Sequence, residues 1–152
     1  MWFMNHIWNP IVRFILRSPL HGLLSRSVML ITYQGWKSGK TYTVPVSYLE
    51  DGDTIYVLPG MPEKKVWWRN IQQDTPVSLR VRGREFPAKA SLLSPEKDLD
   101  IMVRVLGLFF VKMPAGAGLY KVRKDAAGNF VQEDMQRAAG GTVMICARPV
   151  QA

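Results

Sequence analysis

A single cysteine, Cys146, and two histidines, His6 and His21, are spread over the 152 residues of the chain. One cysteine excludes an intramolecular disulfide and any thiolate zinc cluster. Cys146 lies in an apolar run, where a buried, inert thiol is expected rather than a nucleophile. Neither histidine has an acidic neighbour in sequence, so metal ligation and a general-base role are both unsupported, and no metal ligand is assigned. Acidic residues are scarce too, 12 Asp and Glu against 20 Lys and Arg, which leaves a formal charge of +8 and a pI near 9.9. Such a surface favours an anionic partner: a cofactor, a lipid surface or a nucleic acid.

Long apolar runs are also missing. The N-terminal segment is rich in Trp, Phe, Ile and Leu, but Asn9-Pro10 and Ser18-Pro19 interrupt it before the roughly 20 residues of a membrane span are reached. It lacks the basic start and small-residue cleavage site of a signal peptide, so a reducing cytoplasm is the expected setting. Each dipeptide sets a good N-cap before a proline suited to the first helical position, which predicts helices from about Pro10 and Pro19. Their apolar faces can pack on the rest of the chain, pair with a second subunit, or rest on a membrane surface through Trp2, Phe3 and Trp8, and packing is preferred. With 47% hydrophobic and 21% charged residues, the chain fits one globular domain, which the order of its segments divides into a helical part over 1–24 and a strand-rich part, read below as a split β-barrel, over 25–152.

The most informative stretch runs from Val28 to Val46. An apolar run leads into a turn holding Gly35, Lys37, Gly39 and Lys40, and an alternating run follows, which predicts a β-hairpin with a cationic loop. Gly35 to Thr41 nearly forms a nucleotide-triphosphate loop, but only three residues separate Gly35 from Gly39, and a strand rather than a helix follows. Phosphate capture survives without that motif, because successive turn N–H groups beside lysines make a positive concavity. A solvated hairpin tip is the competing reading of the loop alone. Pro45, in the middle of the second arm, predicts a sheet edge or a broken ladder there.

Further along, Thr54–Leu58 reads as a third strand after a tight Asp51-Gly52 turn. A helix is expected over Pro62–Gln73, with one of Trp67 and Trp68 in the core and the other on a ligand wall or an interface. Two clear strands follow, alternating through Val77, Leu79 and Val81 and through Phe86, Ala88 and Ala90. Their arginines fit a solvated face better than a nucleic-acid patch, since no reading helix or exposed aromatic sheet accompanies them. Ser94-Pro95 then starts a helix whose Leu99, Met102, Val103, Leu106 and Phe110 form a stripe for the core or a dimer seam. Glycines break the pattern from Val111 to Gly141, where a loop is expected, and Thr142–Arg148 reads as the last strand. Six short, mostly antiparallel strands with flanking helices make a mainly β, α+β split barrel.

The sequence G-x-K-S-G at Gly35 to Gly39, T-x-P-V-x-Y at Thr43 to Tyr48, the Asp51-Gly52-Asp53 turn, and Trp67-Trp68-Arg69-Asn70 before Pro76 resemble one family. It is the deazaflavin-dependent nitroreductase family of split β-barrel flavoproteins, and the resemblance covers residues 28–93 best. It implies coenzyme F420 as cofactor, with FMN as the alternative. It implies that Trp36, Lys37, Ser38, Lys40, Thr43, Val44, Pro45, Val46 and Ser47 hold the phosphate and ring, and that Gly60, Trp67, Trp68 and Asn70 close over them. The family carries arginine at the positions of Trp36 and often of Tyr42; a lysine such as Lys40 replaces a guanidinium only as a point charge.

The resemblance further implies hydride transfer to a small molecule, a nitroaromatic, quinone or activated alkene, and a protein that can be a homodimer. No nucleophile constellation is then needed, because the cofactor carries the redox chemistry. Tyr33, Tyr42, Tyr120 and water stand unranked as proton sources, and no catalytic residue is assigned. Two alternatives are carried: a split barrel binding FMN, haem or a lipid without deazaflavin turnover, and a basic module on a membrane surface or nucleic acid.

Overall fold

The computed structural model of the chain describes residues 28–59 and 66–150. The helices expected near Pro10 and Pro19, the start of the helix expected at Pro62, and Gly60 lie outside the described residues. The described chain forms two compact units, divided between Ser91 and Leu92 and between Met144 and Ile145.

The first unit is a closed barrel of six strands in the order β1-β2-β3-β6-β5-β4. These are β1 (Val28–Gln34), β2 (Thr41–Asp51), β3 (Thr54–Leu58), β4 (Thr75–Val81), β5 (Arg84–Leu92) and β6 (Ile145–Pro149). Period-two alternation sends Met29, Ile31, Val46, Tyr48, Val57, Leu79, Ala90 and Ile145 into a common interior, all nearly or wholly buried. Closure comes from β1, which pairs with β2 along its whole length and with β4 at Leu30, Ile31 and Thr32. The first five strands fall where sequence alternation put them. β6 begins three residues later than expected, because Thr142–Met144 do not join the strand.

β2 has eleven residues and β3 only five, so the two cannot pair throughout. Ser47–Asp51 pair with β3, whereas among the described residues Thr41–Val46 have ladder partners only in β1. Pro45 falls in that singly paired half, opposite Leu30, where a residue without an N–H removes little from the ladder. The helix expected from Pro62 to Gln73 is instead, within the described residues, one 3-10 turn, Trp67–Asn70. At Ile71 the backbone is already extended (φ −97°, ψ 120°), and the Ile71 side chain is fully buried. Both tryptophans are half-buried, so neither is the core residue expected of a helix. A single turn offers no continuous inward face to bury one of them.

The second unit holds α1 (Pro95–Lys112), α2 (Ala115–Leu119) and α3 (Gln132–Gly140). Pro95 occupies the first turn as the sequence predicts, and the Asp98 carboxylate accepts the Ser94 N–H at 2.9 Å. Asp98 itself is non-helical (φ −119°) and kinks the start of α1. The buried face of α1 is Met102, Val105, Leu106, Phe109 and Phe110, so Val105 and Phe109 take the places expected for Leu99 and Val103. That face packs against α3, where Met135, Ala138 and Ala139 are buried. The region expected to be a loop therefore contains α2 and α3. Their buried positions are mostly alanine, with Gly116 and Gly118 inside α2 and Gly140 ending α3, a weak apolar signal beside the spacing that marks α1.

A charged group is buried on α3. The Asp134 carboxylate is 3% exposed and accepts Arg123 Nε at 2.8 Å, Nη2 at 3.1 Å and the Arg123 backbone N–H at 3.0 Å. These bonds, led by the guanidinium, lower its pKa from 3.8 to about 2. A carboxyl with a depressed folded-state pKa stabilises fully above its unfolded pKa and loses that contribution as pH falls through the folded value. Thermal melts followed by circular dichroism are expected to show stability falling between about pH 5 and pH 2. Asp134→Asn is expected to lower the midpoint at neutral pH and to flatten this acid limb.

Candidate functional site

The β1–β2 loop occupies Gly35–Lys40 and is closed by its own backbone. The Gly35 N–H donates to Lys40 O and the Gly39 N–H to Gly35 O, both at 2.8 Å. Gly39 has a φ of +69°, a left-handed conformation that side chains disfavour. A Cβ on Gly35 would meet Ser38 Oγ at 2.8 Å and the Tyr42 ring at 3.0 Å, so glycine there lets the loop fold tightly on its own strand.

Two side chains complete the loop. Ser38 Oγ accepts the Lys40 N–H at 3.2 Å and stands 3.4 Å from the Tyr42 hydroxyl. Asn70 Oδ1 accepts the Trp36 N–H at 3.0 Å, while Asn70 Nδ2 donates to Trp67 O at 2.9 Å. One amide thus ties the loop to the 3-10 turn 34 residues later. Among the described residues, the backbone N–H groups of Lys37 and Ser38 have no intramolecular partner, so two successive donors remain between the lysines. The concave donor array expected from sequence is therefore narrower than a full turn, because the other loop N–H groups are used internally.

Aromatic rings connect the same elements. Tyr33 lies opposite Tyr42 on β1 and β2, and their rings stack with centroids 5.8 Å apart. Tyr33 also meets Trp67, with ring centroids 5.7 Å apart. Burial first, and then Tyr42, push the Tyr33 phenol up to about 12. Trp36 is 70% exposed, and Lys37 Nζ lies over its ring at 5.1 Å. The indole therefore holds the ammonium on the loop surface, where the resembled family carries a guanidinium.

The structure brings Trp36, Lys37, Ser38, Lys40, Trp67 and Asn70 together around one loop and one turn. Trp68 is in the same turn, 5.5 Å from the Arg69 guanidinium. Thr43, Val44 and Pro45 belong to the singly paired half of β2, where Thr43 Oγ1 lies 2.8 Å from Thr32 Oγ1. Alternation places Thr43, Pro45 and Ser47 on the outer face and Val44 and Val46 on the inner one, with Val46 buried in the barrel core. All five cannot present side chains to one ligand. The sequence offers Tyr33 only as a proton source; its part in joining loop, strand and turn follows from the register, which the sequence does not state. Tyr120 lies in the helical unit, packed on Phe110 at 5.6 Å.

With that geometry in place, the comparisons decide the lineage. The profile of one family, F420H(2)-dependent quinone reductase, matches residues 1–111. The chain belongs to the F420H2-dependent quinone reductase family. It is accordingly a deazaflavin-dependent oxidoreductase whose cofactor is coenzyme F420. Among solved structures, an F420-H2 dependent reductase, FDR-A, is 17% identical with a TM-score of 0.50, over 81% of this chain and 95% of that one. A structure described as a domain-swapped dimer is 17% identical with a TM-score of 0.51, over 91% and 93% of the two chains. At those identities the likeness establishes the split-barrel fold alone. No curated protein sequence matches the chain. Among the described residues, no helix is long and apolar enough to cross a membrane.

Two outcomes test this reading of the site. Asn70→Ala removes the bond that joins loop to turn and the one to Trp67 O inside the turn, and is expected to cost about 1–2 kcal/mol, with faster hydrogen exchange at the Trp36 amide as the local readout. A phenol whose folded-state pKa is raised stabilises fully below its unfolded pKa, and the contribution is lost as pH rises through the folded value. Wild-type stability is therefore expected to fall from about pH 10 to pH 12, and Tyr33→Phe is expected to make that limb shallower in alkaline denaturation curves, the remainder coming from the Tyr48 phenol, which burial also raises.

Proposed function

We propose that the β1–β2 loop and the 3-10 turn hold reduced F420 and that the protein reduces a small quinone-type acceptor. The observation that carries this reading is the loop itself. Beside Lys37 and Lys40, the successive backbone N–H groups of Lys37 and Ser38 have no partner among the described residues, and Asn70 fixes the loop in place. That donor set suits a phosphodiester, for which paired amides and a nearby ammonium are complementary. The cofactor's phosphate would be met by Lys37, Ser38 and Lys40, and its ring by the singly paired half of β2 at Thr43, Val44 and Pro45. Trp67, Trp68 and Asn70 would bound the same space from the turn.

When bound, the reduced deazaflavin supplies a hydride, and the protein supplies position, exclusion of water and charge. Trp36 holds Lys37 at the loop surface. Tyr33, protonated throughout the physiological range, acts as a packed ring between Tyr42 and Trp67 rather than as an acid. A proton for the acceptor comes from water or from Tyr42, which is 42% exposed. The choice of a quinone rests on the family; nitroaromatics and activated alkenes are the other members of the same acceptor class.

A second copy of the chain is part of this reading, by analogy with the related structure described as a domain-swapped dimer. Light scattering checks it.

The deciding experiment is a fluorescence titration of the purified protein with F420 and, separately, with FMN, repeated with Lys37→Ala. F420 binding weakened about tenfold by that substitution is expected, as is quinone-dependent oxidation of the reduced cofactor. Binding of FMN alone would reassign the cofactor, and binding of neither would overturn the site.

A further inference from the structure

A cavity of about 300 Å³ opens on the wall of the barrel, lined by Asp74, Lys89, Ser91, Cys146, Arg148, Pro149 and Val150. None of these residues belongs to the loop, strand half or turn described above. Their neighbourhood follows from register. The Val150 N–H donates to Pro87 O, and the Leu93 N–H donates to Met144 O, each at 2.9 Å. The two bonds are in step, so the antiparallel ladder between β5 and β6 runs without a slip. It sets Arg148 directly opposite Lys89, and Cys146 directly opposite Ser91. Ile145 and Ala147 are wholly buried, so alternation turns Cys146 and Arg148 outward, as it does Lys89 and Ser91 beside the buried Ala88 and Ala90.

Two cations directly across a ladder repel each other and cost stability unless an anion lies between them. Among the described residues no carboxylate pairs with either one. Asp74, the acidic group in the wall, is bound beside Ser91, one step along the ladder, where its N–H donates to Ser91 Oγ at 2.8 Å. A hydroxyl that accepts in this way keeps its own proton to donate. The wall therefore offers a guanidinium fork, an ammonium and a hydroxyl, with one carboxylate at the far end.

We infer that this cavity is a second ligand site that takes a compact oxyanion, a phosphate or a carboxylate, bridged between Lys89 and Arg148. Guanidinium meets such a group through two parallel bonds and ammonium through point charge. The volume matches the lower end of small-molecule sites. Asp74 opposes a second negative charge at its end and so favours a ligand with one anionic group and a hydrogen-bond donor opposite it.

Amide NMR spectra of the full chain, titrated with sodium phosphate and separately with sodium lactate against chloride at matched ionic strength, test the site. Saturable shifts are expected at Asp74, Ser91, Cys146 and Arg148 with at least one of the two anions, and the responding anion identifies phosphate or carboxylate as the chemistry. Arg148→Gln and Lys89→Gln should each weaken binding about fivefold, and Asp74→Asn should tighten it by a similar factor. Lys89→Glu should abolish it while raising the melting temperature in chloride, because the cross-strand repulsion becomes an attraction. F420 affinity should be unchanged in Arg148→Gln, which separates this site from the loop. Shifts no greater than those in chloride for both anions, or binding indifferent to Arg148→Gln, would overturn the inference.

Discussion

The candidate site depends on one mismatch of length inside the barrel. β2 runs for eleven residues and β3 for five, yet both must fit one closed sheet. Closure is secured by β1, which is paired on both sides, so the surplus of β2 falls at its N-terminal half, from Thr41 to Val46. A strand half bound on one side only is where proline is tolerated and where a ligand can meet backbone. The loop that begins this half, and the turn that Asn70 attaches to it, take their positions from that constraint.

Charge is used in different ways across the chain. In the loop, Lys37 and Lys40 stand beside two N–H donors that have no partner among the described residues. In the helical unit, Arg123 is spent on the buried Asp134, a pair made strong by several hydrogen bonds to one carboxylate. At the β5–β6 ladder, Lys89 and Arg148 face each other with no carboxylate paired to either among the described residues. The net charge of +8 does not distinguish these cases; only the partners do.

Much of the barrel was legible in the chain because period-two alternation directly reports one buried face. The strands from Val28 to Leu92 and the start of α1 at Pro95 follow from alternation and from proline and N-cap signals. The 3-10 turn at Trp67 and the helices α2 and α3 were not legible. A short turn has no period to detect, and helices whose inward residues are alanine resemble a loop in hydrophobicity. The loop residues of the site were legible as a group through Gly35, Lys37, Ser38 and Lys40. Their attachment to Asn70 was not, because it links residues far apart in sequence.

By itself, the sequence determined the lineage, the strand pattern and the cationic hairpin, since each is carried by local residue order. Tertiary structure alone decided which faces those residues share. It turned Val46 into the barrel interior, brought Tyr33 against both Tyr42 and Trp67, and set Arg148 across from Lys89. The physical reason is that alternation specifies two faces for every strand, but only pairing and closure determine which neighbour each face meets.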